Sequence, residues 1–178
     1  DTNTCNYAVF NHLAKKFEVR EIESPIPLLK AVKNTTELDG FRLACRKDGV
    51  ALSKFYYWLE NRLSQQPITE LEAAEQLTRF RSQDKEYVSD SFGCISAYGP
   101  NAALPHYSAT LEQQSEIHPK GLYLVDSGAQ YMHGTTDITR TMPLGELTEL
   151  EKEDYTLVLK GMIDLSMLYF PKGSKGCN

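Results

Sequence analysis

Two runs decide how the rest of the chain is read: Gly121-Leu122-Tyr123-Leu124-Val125-Asp126-Ser127-Gly128, and Gly134-Thr135-Thr136-Asp137-Ile138-Thr139-Arg140-Thr141. The apolar residues from Gly121 to Val125 predict a strand, and their continuity predicts burial on both of its faces. Gln130 to Met132 and Ile138 to Met142 predict further strands around the Gly134-Thr135-Thr136 turn. Asp126 ends the first strand, and Asp137 lies eleven residues on. A strand, a tight turn and a second strand would bring the two carboxylates together. Facing carboxylates repel unless a cation lies between them, and hard or borderline divalent cations take such oxygen donors. Spacing alone leaves another reading open: Asp126 closes a strand at a glycine turn, and Asp137 caps a turn or pairs with Arg140. Gly128 and Gly134 read as turn glycines that would also let the backbone pass close to a metal.

Upstream, Phe92 to Tyr98 predicts a strand ended by Gly99-Pro100-Asn101, which opens the loop to Leu104-Pro105-His106-Tyr107. An imidazole there can donate to a developing oxyanion, although the residues alone favour an ordinary solvated loop histidine. His12, His118 and His133 have no partner pattern and read as surface residues. Three helices are announced by their starts. Asn34 precedes Glu37 by three residues, Thr69 precedes Glu72 and Thr148 precedes Glu151, and the last two pairs are strict capping boxes. The first helix carries Leu38, Phe41, Cys45, Leu52, Phe55 and Leu59 as one apolar stripe. The second carries Leu71, Ala74, Leu77 and Phe80. The third carries Leu150, Leu157, Met162, Leu165 and Leu168. Tyr56, Tyr57 and Trp58 read as core within the first helix. The order helix, helix, strands, helix defines an α+β fold.

Before the first helix, Phe17 to Ile22 alternates apolar and charged residues in a strand pattern, and Ser24-Pro25-Ile26-Pro27 reads as an extended linker. A domain boundary is expected there: residues 1–24 as the remnant of a preceding domain and its linker, residues 25–178 as a second, truncated one. Both ends read as cut, since the chain opens at Asp1 without an initiator Met and stops shortly after Pro171 and Gly173.

The 178 residues carry a net charge of −5, against non-specific binding to nucleic acid or anionic membranes, which need a basic surface. No apolar run is long enough to span a bilayer. Cys5, Cys45, Cys94 and Cys177 are scattered, without a Cys-x-x-Cys pair, and read as reduced thiols of a cytoplasmic protein. No Gly-x-Ser-x-Gly elbow, P-loop or His-Glu-x-x-His motif occurs.

The phrases Leu124-Val125-Asp126-Ser127-Gly128-Ala129-Gln130-Tyr131 and Gly134-Thr135-Thr136-Asp137-Ile138-Thr139-Arg140-Thr141 resemble the aminopeptidase P family, the Xaa-Pro aminopeptidases. The larger, three-domain eukaryotic-type members are most similar, and the likeness extends over nearly all of residues 25–178. It implies the N-terminal half of a pita-bread fold, a curved antiparallel sheet flanked by long helices. It implies two manganese ions, Mn2+, held by five protein ligands. Asp126 matches a ligand to one ion and Asp137 the carboxylate that bridges both. His106 matches a histidine that contacts the substrate and stabilises its tetrahedral intermediate. The implied substrate is a peptide with proline at its second position, hydrolysed before the proline by a metal-activated hydroxide.

The family's other ligands, one His and two Glu, have no counterpart in these residues, so the 178-residue chain alone is expected to bind metal weakly and to be inactive. An exposed sheet edge and apolar face are expected to drive self-association, giving a homodimer. A prolidase or methionine-aminopeptidase relative shares the two-Asp segment. A non-catalytic pita-bread module that binds peptides or proteins is the alternative from another class, and the two retained carboxylates count against it.

Overall fold

The computed structural model describes residues 1, 4–171 and 173–176. The chain divides into two compact units, Asp1–Gly40 and Phe41–Asn178. In the first, α1 (Tyr7–Ala14) is capped by the Asn6 side chain, which accepts from the Ala8 amide at 2.9 Å. The strand expected over residues 17–22 does not form; alternation makes a strand only where a neighbour pairs with it. The extended linker is also corrected. Residues Ile26–Ala31 form a short helix, α2, with a proline at its start. Proline is tolerated in a first helical turn, whose amides have no intrahelical acceptor.

The helix α3 (Thr35–Leu63) begins in the first unit, and from Phe41 onward it forms, with α4 (Glu70–Arg81), the helical part of the second. Asn34 and Glu37 at the start of α3 satisfy each other's amides at 2.9 Å, and α4 opens with the expected Thr69–Glu72 box. The buried stripe of α3 is Ala44, Asp48, Ala51, Leu52, Phe55, Leu59 and Leu63, whereas Leu38 and Cys45 are exposed. Tyr56 and Trp58 pack against the core, but Tyr57 is exposed. On α4 the buried positions are Glu70, Ala73, Leu77 and Arg81. The stripes therefore contain charges that an apolar pattern would not include.

The strands are β1 (Ile68–Thr69), β2 (Tyr87–Asp90), β3 (Ile95–Tyr98), β4 (Glu116–Ile117), β5 (Leu122–Ser127), β6 (Ala129–Tyr131), β7 (Gly134–Thr135) and β8 (Ile138–Pro143). They form three small antiparallel sheets, ordered β1-β4, β2-β6-β7 and β3-β5-β8. The third positions the site. Its central strand, β5, buries Tyr123, Val125 and Ser127 and leaves Leu122, Leu124 and Asp126 half-covered, so burial on both faces does not hold. The buried face meets Leu52, Phe55 and Leu59 of α3 and Leu77 of α4 in the main core. Each aliphatic side chain so covered contributes roughly 1.5–3 kcal/mol. The last helix, α5 (Glu149–Ser166), starts at the expected Thr148–Glu151 capping box but buries no residue, and Leu157, Met162 and Leu165 of its stripe are exposed.

Candidate metal centre

Asp126 is placed by the ladder. Along β5 it turns away from the core, opposite Thr139 of β8 on one side and Ile95 of β3 on the other. The Thr139 hydroxyl donates to Asp126 Oδ1 at 2.7 Å, which orients the carboxylate. Asp137 stands immediately before β8. Burial alternates there: Thr136 is buried, Asp137 exposed, Ile138 half-buried and Thr139 exposed. Asp137 therefore shares the outward face with Thr139 and Asp126. It lies two residues before Thr139, the register partner of Asp126, and just beyond the last paired position, Ser127 with Ile138.

Among the described residues neither aspartate takes part in an ion pair, and the Arg140 guanidinium donates to the Thr139 carbonyl at 2.7 Å instead of pairing with Asp137. Two outward carboxylates on one face, without a cationic partner, are a donor set that fits a hard divalent cation. Among the described residues no group of three or more His, Cys, Asp and Glu is clustered to hold a metal.

His106 lies in the loop that follows β3, beyond a 3-10 turn at Gly99–Ala103. That loop leaves β3 beside Tyr98, which faces Tyr123, whereas Asp126 faces Ile95 at the other end of the strand. The imidazole is exposed, its backbone adopts φ 55°, and no hydrogen bond or ion pair joins it to either aspartate. Alternation thus puts Asp126 and Asp137 on one outward face, and among the described residues no hydrogen bond or ion pair links His106 to either. Of the other histidines, His133 reaches Glu86 at 3.2 Å and His118 reaches Glu116 at 3.8 Å, both half-exposed.

Two buried carboxylates that the sequence did not single out support these positions. Asp48 of α3, 0% exposed, meets Arg81 of α4, 1% exposed, in a forked pair: Nε to Oδ1 at 2.6 Å and Nη2 to Oδ2 at 3.1 Å. Arg81 also donates to Ser127 Oγ at 3.0 Å, and Asp48 accepts from the hydroxyls of Thr136 at 2.8 Å and Tyr131 at 3.3 Å. Glu70, 0% exposed, holds the other loop. It accepts from the Tyr98 amide at 2.6 Å, the Ser115 amide at 2.8 Å, the Tyr107 hydroxyl at 2.7 Å and Asn101 Nδ2 at 3.1 Å. Burial, and then the Glu70 carboxylate, push the Tyr107 hydroxyl up to about 12. The available signal was positional: Asp48 lies four residues after buried Ala44, and Arg81 four after buried Leu77. Opposite charges on two core stripes imply a pair.

Gly128 is required for a reason other than the expected one. A Cβ there would lie 2.0 Å from the Thr136 carbonyl oxygen and 2.3 Å from Ser91 Oγ. Its conformation is ordinary; close approach of protein to protein excludes any side chain. Gly134 is closed more loosely, by Phe41, whose Cδ1 would be 3.2 Å away.

Small antiparallel ladders backed by long helices, with two outward aspartates at one turn, define a pita-bread protein, and solved structures of that fold superpose on the chain. Residues 39–178 match the metallopeptidase family M24, and the chain belongs to that family. It is 50% identical over 161 residues to a probable Xaa-Pro aminopeptidase P of Paracoccidioides brasiliensis, a match covering 89% of this chain and 26% of that protein. The crystal structure of X-prolyl aminopeptidase from Caenorhabditis elegans, described as a cytosolic enzyme with a di-nuclear active site, is 40% identical. It superposes with a TM-score of 0.78 over 86% of this chain and 25% of its own. The Xaa-Pro dipeptidase of Bacillus anthracis is 25% identical, with a TM-score of 0.74 over 92% of this chain and 44% of its own. The chain spans about a quarter of the length of the curated relatives it matches.

Proposed function

We propose that the whole protein is a metal-dependent aminopeptidase that hydrolyses the bond between an N-terminal residue and a following proline. The observation that carries this is the pair Asp126 and Asp137, outward on one face and without a cationic partner. Asp126, oriented by Thr139, would hold one Mn2+, and Asp137 would bridge two. When bound, divalent cations supply Lewis acidity and a nucleophile at neutral pH. His106 would contact the substrate and donate toward the carbonyl oxygen as charge develops there. Residues 1–24 are proposed as the end of a preceding domain and its linker, and residues 25–178 as part of the catalytic domain. A cytoplasmic location agrees with the cytosolic Caenorhabditis elegans relative.

The 178 residues by themselves offer too few ligands for two ions and are expected to bind Mn2+ weakly and to leave Xaa-Pro peptides intact. The exposed apolar residues of α5 support association with a second copy; a monodisperse monomer in light scattering at high concentration would rule that out. The deciding assay is hydrolysis of Xaa-Pro-Xaa peptides and, side by side, of Xaa-Pro dipeptides by the full-length protein with Mn2+. Turnover that vanishes in Asp137→Asn supports the reading. Unimpaired turnover in that variant, or cleavage confined to Xaa-Pro dipeptides, overturns it, the latter in favour of a prolidase.

A further inference from the structure

The two aspartates project outward, and the residues next to them, Ser127 beside Asp126 and Thr136 beside Asp137, project inward to one buried ion pair. We propose that Asp48 and Arg81 are positioning residues for a divalent cation, setting the spacing of Asp126 and Asp137 from beneath the ladder. This rests on the proposed metal roles of those aspartates.

The geometry is that of a single unit bound both to the end of β5 and to the link between β7 and β8. The Arg81 guanidinium grips Asp48 with two donors, and Nη2 also reaches Ser127 Oγ at 3.0 Å. Nη1 reaches the Gly128 carbonyl at 3.4 Å. On the other side Thr136 donates to Asp48 at 2.8 Å, while its oxygen accepts the Ala129 amide at 3.0 Å. Ser91 joins the same two segments, its amide donating to the Gly128 carbonyl at 3.0 Å and its hydroxyl to the Thr136 carbonyl at 2.9 Å.

Side chains alternate along β5, so fixing Ser127 on the inside fixes Asp126 on the outside; in the two-residue link between β7 and β8, Thr136 is buried and Asp137 exposed, so holding Thr136 inward holds Asp137 outward. A one-residue slip of β5 would break the contact of Ser127 to Arg81 and turn Asp126 inward, and the same shift in the link before β8 would break the contact of Thr136 to Asp48. Stability alone does not require this arrangement, since well-packed apolar residues commonly replace a buried ion pair without loss. A guanidinium fork resists both stretch and rotation, which suits a spacing role.

The test uses the full-length protein, titrated with Mn2+ alone in a calorimeter, and three variants. Thr136→Val keeps the shape and removes the hydroxyl, Thr136→Ser keeps the hydroxyl, and Glu70→Gln disturbs the other buried carboxylate. Thr136→Val is expected to weaken Mn2+ binding about 10–100-fold, the range typical of groups that orient metal ligands. Thr136→Ser is expected to restore most of the affinity, and Glu70→Gln to leave it unchanged. In the metal-free protein, hydrogen exchange at the Ala129 amide should quicken in Thr136→Val and not in Thr136→Ser. An unchanged affinity in Thr136→Val, no rescue by serine, or an equal loss in Glu70→Gln would overturn the proposal. Absence of Mn2+ uptake by the unsubstituted protein would sink the metal reading itself, and this inference with it.

Discussion

Asp48 and Glu70 are both fully buried, and each ties together segments distant in sequence, but they are held in different ways. Asp48 faces a guanidinium and two hydroxyls beneath the strands that carry Asp126 and Asp137. Glu70 faces only neutral donors, two backbone amides, an amide side chain and a phenol, around the loop that carries His106. One site is balanced by a rigid opposite charge and the other by dipoles. The difference suits what each supports: strands whose spacing must not vary, and an exposed loop whose path needs only to be closed.

The contrast breaks most sharply at Arg81. Replacing it with Met leaves Asp48 buried and uncompensated, and a loss of about 3–5 kcal/mol is expected in urea unfolding. The double variant Asp48→Leu, Arg81→Met should lose much less, because both charges leave together. Equal losses in the two would show that packing, not charge pairing, dominates at that site.

At Glu70 a smaller effect is expected. Glu70→Gln turns an amide group toward donors and strands at least one of them, costing about 1–3 kcal/mol. A hydrophobic replacement should cost more, since every donor then loses its acceptor.

Each network also contains a tyrosine, and pH compares them. Burial raises Tyr107 from the ordinary 10 to about 12, helped by Glu70, and raises Tyr131 as well, helped by the charge of Asp48. Both phenols hold their protons more tightly folded than unfolded. The unfolded chain therefore releases them first, so their contribution is complete below pH 10 and is lost as pH rises toward about 12 and beyond. Tyrosinate absorbance for these two should appear together with unfolding. A phenol that titrated near 10 in the folded protein would place it outside the buried network.

The smallest difference concerns the caps. Thr69→Ala opens α4, beside Glu70, and should cost about 1 kcal/mol of global stability. Thr148→Ala opens α5, which buries nothing, and should melt that helix locally while leaving the main transition in place. Circular dichroism and denaturant unfolding separate the two.

Much of this was legible in the chain. The three helix starts follow from contacts three residues apart, between a cap side chain and a carboxylate, which need no tertiary partner. The strand ending at Asp126 and the turn to Asp137 were visible in apolar continuity and glycine placement. Failures came where a pattern needed a neighbour. Residues 17–22 alternate but pair with nothing, and α5 has apolar residues without a core to enter. The apolar stripes read for α3 and α4 left out Asp48, Glu70 and Arg81, because a charge on a core face is tolerated only when its partners arrive from elsewhere.

The sequence by itself determined the α+β class, the helix starts, the residue types of the candidate metal pair and the likeness to the aminopeptidase P family. Tertiary structure alone decided that Asp126 and Asp137 share one face and that the inward neighbours of both, Ser127 and Thr136, meet the buried pair of Asp48 and Arg81. Local hydrogen bonds and side-chain periodicity are written within a few residues. Strand register and the pairing of buried charges depend on segments up to 88 residues apart, which meet only when the core closes.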